Sequence, residues 1–167
     1  MNDVITKILT FLEEIGLEYQ LGNIEGNTFL PGLKLRNGSL VIDREKLRYP
    51  GDILHEAGHL ATMPPEIRKT MDDNLEGNDL HQGGELMAIA WSYAACVFLK
   101  IDPHVVFHED GYKGGGSHIV ENFSKGNYFG VPLLQWCGMT YDQKTGAENG
   151  QKSFPSMIRW TCLSRPQ

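Results

Sequence analysis

One stretch constrains this chain more than any other: residues 49–65, which read YPGDILHEAGHLATMPP. Proline is favoured at the first position of a helix, and it disfavours helix at the residue before it. The flanking prolines therefore predict a helix from Pro50 to about Thr62. Residues four apart lie on the same face of a helix. His55 and His59 would then point two imidazoles at one metal ion, at zinc–nitrogen distances of about 2.0–2.1 Å.

Glu56 stands between the two histidines and has a different geometry. In a helix it is offset by about 100° from His55. That offset places its carboxylate beside the ion, where it would take a proton from water rather than bind the metal. Gly58 costs about 1 kcal/mol relative to alanine inside a helix, and a close approach of another backbone would explain its presence. The alternative is an ordinary helix whose histidines hydrogen-bond to neighbouring groups.

A third ligand is needed, because a catalytic zinc normally has three protein ligands and one open position. The extended motif HExxHxxGxxH is excluded, since Thr62 and Pro65 stand where it needs glycine and histidine. Glu85 is the better candidate, because it is the only charged residue in the apolar segment 85–99, which we expect to form a mostly buried helix. A carboxylate there is costly unless it is paired or bound to a metal. The alternative for Glu85 is a solvated carboxylate favoured by the dipole of the first helical turn.

Other polar residues are weaker candidates for parts of the same site. Two residues of a loop predicted over 71–84 are reserve ligands: Asp79 and His81. Four residues are candidate donors to an oxyanion, each with an ordinary surface or packing role as the alternative: Tyr112, His118, His108 and Tyr128. Two carboxylates are candidates for orienting the imidazoles: Asp79 and Glu109.

The remaining patterns predict an α+β fold. Apolar residues at helical spacing predict a helix over 2–15, and Asn37-Gly38 between two alternating runs predicts a β-hairpin over 33–42. We expect residues 1–167 to form one domain, with a small, mainly antiparallel sheet packed on several helices. The hairpin would offer an edge on which an extended peptide adds as a further strand.

Composition narrows the function classes. The 167 residues carry a formal net charge of −6, which argues against nucleic acid as the main partner. No apolar run reaches the roughly 18 residues of a membrane span. The first residues do not fit a secretory signal, so we expect a cytoplasmic chain. Three cysteines without a CxxC pair predict no disulfide framework, and Cys96 is expected to be a buried hydrophobe rather than a catalytic thiol.

These residues resemble the zincin metallopeptidases, and among them the ImmA/IrrE family. That family has an HExxH helix, a loop, and a second helix with a pattern like E-x-x-A-x-x-[FW]-A. Here Glu85, Ala88 and Trp91 match the pattern, and Ser92 replaces the last alanine. The resemblance covers roughly residues 28–99. It implies a zincin-like domain that binds one Zn²⁺ ion through His55, His59 and Glu85, uses Glu56 as the general base and acts on a peptide or protein substrate.

Three functions remain open from the sequence. The leading hypothesis is a zinc-dependent peptidase. The alternatives are a zincin-fold protein that binds or senses without cleaving, and a zinc hydrolase of a small amide. The presence of Glu56 favours catalysis, because a binding module would not require a general base. Fold analogy does not choose between them.

Overall fold

The structure, a computed structural model, describes residues 2–26, 28–73 and 80–164. These residues form an α+β fold with a three-stranded sheet and seven α-helices. The strands are β1 (Tyr19–Leu21), β2 (Leu33–Arg36) and β3 (Ser39–Ile42). The helices are α1 (Asn2–Glu14), α2 (Gly51–Ala61), α3 (Pro65–Arg68), α4 (Leu80–Leu99), α5 (Gly116–Ser124), α6 (Val131–Trp136) and α7 (Gln143–Glu148).

The sheet has the order β1-β3-β2 and is mixed. The predicted hairpin is confirmed: β2 and β3 pair antiparallel, and Asn37 and Gly38 turn the chain with φ of 48° and 76°. β1 pairs parallel to β3, so the expectation of a mainly antiparallel sheet holds for only one of the two pairings. Turn residues determine the direction of the hairpin strands, whereas no local signal determines the direction of a strand that pairs across some twenty positions.

The helix predicted over the HExxH segment is confirmed as α2, and it packs against α4. The start of α4 differs from the prediction. Residues 80–84, expected to belong to a loop, form its first turn, because packing outweighs the low helix propensity of two glycines. Gly84 is buried, and a Cβ added there would lie 3.4 Å from the side chain of Met63. Glu85 therefore lies beyond the first turn of α4, where the dipole alone would not account for it.

Arg68 of α3 and Cys162 near the C-terminus form hydrogen bonds at the end of α2. The Arg68 guanidinium donates to the carbonyl oxygens of Leu60 at 2.7 Å, Met63 at 2.9 Å and Cys162 at 3.2 Å. The Cys162 N–H donates to the Ala61 carbonyl at 2.7 Å. Because carbonyls at a helix C-terminus have no partner within the helix, the contacts to Leu60 and Ala61 satisfy two carbonyls at the end of α2.

The cysteines contribute to the apolar interior. Cys96, Cys137 and Cys162 are buried, and none of the three forms a disulfide. Burial raises the pKa of the Cys96 thiol to about 12, which disfavours the thiolate, and the expectation that Cys96 is buried is confirmed. No helix in the described part of the chain is long and apolar enough to cross a membrane.

Candidate metal centre

Helix α2 brings two imidazoles together. His55 and His59 are four residues apart, and their Nε2 atoms lie 3.1 Å from each other. Both side chains are largely buried, at 15% and 21% exposure. Both Nε2 atoms therefore face the same point beside the helix, as the spacing predicts.

Glu85 of α4 completes a group of three. Its Oε2 lies 3.2 Å from His59 Nε2 and 3.6 Å from His55 Nε2. One ligand atom from each of His55, His59 and Glu85 lies within 4.8 Å of the others, so this group can hold a metal ion. The Glu85 side chain is 43% exposed, less buried than its apolar helix suggested, and the group therefore opens to solvent on the α4 side.

The electrostatics of Glu85 keep it ionised. Burial raises its pKa, but hydrogen bonds and charges from His55 and His59 lower it further, and the net result is a pKa well below the usual range. A metal ion binds deprotonated ligands, and the ionised carboxylate of Glu85 beside the two imidazoles meets this requirement.

Glu56, the residue after His55 on α2, has the opposite shift in pKa. Burial raises its pKa to about 7, and the nearby carboxylates of Asp73, Glu85 and Asp52 raise it as well, while His59 lowers it. A carboxyl group that exchanges its proton near neutral pH is suited to act as an acid or base.

Tyr112 approaches the group from behind His55. Its hydroxyl lies 2.8 Å from His55 Nδ1, the nitrogen that faces away from the other two ligands. The two rings meet edge to face at 5.4 Å, and Tyr112 also contacts the Phe107 ring at 5.2 Å. The sequence suggests Tyr112 only as an oxyanion donor. The contact with a ligand was not foreseen, because only the folded loop after α4 brings Tyr112 back to α2.

His108 is held by Asp52, one turn before His55. The His108 Nε2 lies 3.0 Å from Asp52 Oδ1, the ring is stacked on Tyr49 at 3.8 Å, and a Cβ added at Gly111 would lie 3.1 Å from its Cε1. His108 Nδ1 is buried without a hydrogen-bond partner among the described residues. Asp52 also lies in the first turn of α2, where the helix dipole favours an anion. Its position three residues before His55 was the available signal for a role near the site.

The other candidates lie away from the three ligands. His118 is 83% exposed beside Glu121, and Tyr128 packs in an aromatic cluster with Phe123 and Phe154. Glu109 is exposed, and no contact joins it to either imidazole among the described residues. Asp79 lies outside the described residues, and His81 belongs to α4 but its side chain is not described.

The outer edge of the hairpin is already paired. β3 is the central strand, which leaves β2 at the edge. The Leu35 N–H donates to Asp73 Oδ1 at 2.9 Å, the Leu35 carbonyl accepts the Asp73 N–H at 3.4 Å, and the Leu33 N–H donates to the Leu30 carbonyl at 3.1 Å. The expected strand addition at this hairpin would therefore first have to displace Asp73.

The chain was compared with protein families, curated proteins and solved structures, and none of them matches it.

Proposed function

We propose that this chain is a zinc-dependent peptidase in which His55, His59 and Glu85 bind the metal and Glu56 is the general base. The separations of the three ligand atoms carry the proposal. An ion with tetrahedral ligands at about 2.0–2.1 Å separates any two of them by about 3.3–3.4 Å. The separations here are 3.1, 3.2 and 3.6 Å. Two imidazoles and one carboxylate also form a ligand set that catalytic zinc takes with one position open.

The residues divide the chemistry between them. Zinc at these ligands would polarise a carbonyl and lower the pKa of a water towards about 7. Glu56 would accept the proton of that water and deliver it to the leaving amine. Burial holds the pKa of Glu56 above its ordinary value, which favours proton uptake. The solvent-exposed side of Glu85 offers the direction from which a substrate carbonyl would approach.

We also propose a relationship to the ImmA/IrrE family. Its support is the way the residues of the α4 pattern face α2. A Cβ added at Gly58 would lie 3.0 Å from the Ala88 carbonyl oxygen and 3.2 Å from a carbon of the Trp91 ring. Glu85, one turn before Ala88, then reaches the histidines. In the spacing E-x-x-A-x-x-W, Glu85 is thus the proposed ligand, Ala88 makes the close contact with Gly58, and the Trp91 ring packs beside it.

A hydrolase of a small amide is the second candidate. Its support is the paired edge of β2, because Asp73 occupies the backbone groups of Leu35 to which an extended peptide would bond. A small amide needs no free strand edge.

Metal analysis tests the site. Purified wild type grown with ample metal should hold about one zinc per chain, and His55→Ala with His59→Ala should hold none. His118→Ala, which removes an exposed imidazole, is the matched control and should keep the metal. A metal-free wild type would overturn the site.

Turnover distinguishes the functions. Wild type and Glu56→Gln should be assayed against peptide libraries and a panel of small amides, with Glu66→Gln as a control at an exposed glutamate. The proposal expects wild type and Glu66→Gln to cleave peptides and Glu56→Gln to lose at least about 100-fold in kcat. Turnover of amides alone favours the second candidate. No turnover by zinc-loaded wild type would leave the non-catalytic alternative.

A further inference from the structure

We propose that Tyr112 is a positioning residue: its phenolic oxygen accepts the Nδ1–H of His55 and so holds the His55 ring and its tautomer for metal binding. The inference rests on the proposed metal site. It assigns a role to a residue outside the two helices that supply the ligands. The contact that carries it is the 2.8 Å separation between Tyr112 Oη and His55 Nδ1.

The tautomer follows from which nitrogen faces the group. His55 Nε2 points at His59 and Glu85, so Nε2 is the ligand atom and must be without its proton when a metal binds. The neutral ring then carries its proton on Nδ1, which becomes a donor and needs an acceptor. Among the described residues, His55 Nδ1 has the hydroxyl of Tyr112 as its hydrogen-bond partner. Partners of this kind orient a ligand and make it more basic.

The backbone holds Tyr112 at some cost. Tyr112 and Lys113 have φ of 52° and 54°, and Gly114 follows with 78°. Left-handed backbone is unfavourable for a residue with a Cβ. A conformation of this kind persists only where surrounding contacts determine it. Here the contacts are the hydrogen bond to His55 and the packing of the Tyr112 ring on Phe107.

The segment that carries Tyr112 makes two further hydrogen bonds, one to α2 and one to the residues just before it. We call residues 108–115 the strap. At its start, His108 bonds to Asp52 of α2, and at its middle Asp110 accepts a hydrogen bond from the hydroxyl of Tyr49, two residues before α2 begins. Asp52 and His55 are three residues apart and lie on one face of the helix. The strap therefore runs along the face of α2 that carries His55, and its attachments fix where the Tyr112 hydroxyl can lie.

Tyr112→Phe tests this role, because it keeps the ring and removes only the hydroxyl. The matched control is Tyr128→Phe, which makes the same change in an aromatic cluster with Phe123 and Phe154. Zinc affinity is measured by competition with a chelator of known affinity. Loss of such a partner typically weakens metal binding about 10- to 100-fold. We therefore expect at least about 10-fold weaker binding for Tyr112→Phe and less than about 2-fold for Tyr128→Phe.

A spectroscopic measurement separates positioning from a structural role. In the zinc-loaded protein, the His55 Nδ1–H should give a ring N–H resonance that exchanges slowly with solvent. In Tyr112→Phe it should exchange faster and shift, while thermal unfolding of the metal-free protein changes little. Equal zinc affinity and an unchanged His55 resonance in Tyr112→Phe would overturn the inference while leaving the metal site intact. Absence of zinc binding in wild type would overturn the proposed function and this inference together.

Discussion

Gly58 of α2 lies against Ala88 of α4 so closely that a Cβ at Gly58 would stand 3.0 Å from the Ala88 carbonyl oxygen. This contact sets the distance between the two helices. His59 is the next residue after Gly58, and Glu85 lies one turn before Ala88. The separation of 3.2 Å between His59 Nε2 and Glu85 Oε2 therefore depends on a glycine that neither binds nor reacts.

Gly58→Ala is expected to destabilise the fold and weaken metal binding. The added methyl group gains about 1 kcal/mol in helix propensity but forces apart two packed helices, which typically costs about 1–3 kcal/mol. We expect a net loss of about 1 kcal/mol in the free energy of unfolding and a several-fold loss in zinc affinity. Chemical denaturation and metal titration measure the two effects.

Gly83→Ala is the matched control, because Gly83 lies in α4 and nothing stands within 4 Å of a Cβ added there. It should stabilise the protein by up to about 1 kcal/mol and leave zinc affinity unchanged. If both variants behave alike, the close approach at Gly58 has no energetic consequence.

The sequence allowed the local parts of the site to be predicted, and the reason is geometric. His55, Glu56 and His59 lie within one helix, so the period of 3.6 residues determines their directions. Glu85 could be proposed because a third ligand was needed and its helix carried no other charge in that stretch. The structure brings Glu85 to both histidines.

The rest depended on contacts between distant residues. The parallel pairing of β1 and the extension of α4 through Gly83 and Gly84 follow from packing that a single sequence does not specify. The contact of Tyr112 with His55 spans 57 positions along the chain. Its strap has a left-handed backbone at two residues with a Cβ, which composition does not indicate.

Lys113→Gly is expected to stabilise the protein slightly. Lys113 is exposed and has φ of 54°, so removal of its Cβ relieves about 1–2 kcal/mol of strain while the more flexible unfolded chain costs about 0.5–1 kcal/mol. We expect a gain of about 0.5–1 kcal/mol in the free energy of unfolding, with zinc affinity preserved because Tyr112 is untouched. Thermal and urea unfolding measure the gain. A loss of stability would mean that the Lys113 side chain makes a contact that outweighs the strain.

The free energy of unfolding should depend on pH through Asp43, the residue that follows β3. This buried carboxylate accepts the N–H groups of Ile24 at 3.0 Å and Glu45 at 3.1 Å, and these bonds, that of Ile24 first, lower its pKa. The folded pKa lies below the unfolded value of about 3.9, so the stabilisation is complete above that value and is lost as the pH falls through the folded pKa.

Asp43→Asn should therefore be less stable than wild type at pH 7, and the difference should shrink as the pH falls below about 4. Urea unfolding of both proteins between pH 3 and 7 measures it. Asp3→Asn, at an exposed carboxylate on α1, is the control and should follow wild type. A difference between Asp43→Asn and wild type that stays constant across this range would contradict the role of the charged form.

Removal of the metal is expected to lower the free energy of unfolding. The size of this loss should depend on Glu85 as the third ligand. A ligand that binds only the folded state adds about 2.7 kcal/mol to the free energy of unfolding when its free concentration is 100 times its dissociation constant. Wild type held at that zinc level should lose this amount when a chelator is added, as followed by thermal unfolding.

Glu85→Gln keeps the shape of the side chain but removes the charge, so at the same zinc level it should gain little from the metal. Glu66→Gln, an exposed glutamate on α3, should gain as much as wild type. If zinc stabilises Glu85→Gln and wild type equally, Glu85 is not a ligand, and the pair of histidines on α2 must take its third ligand from another part of the chain.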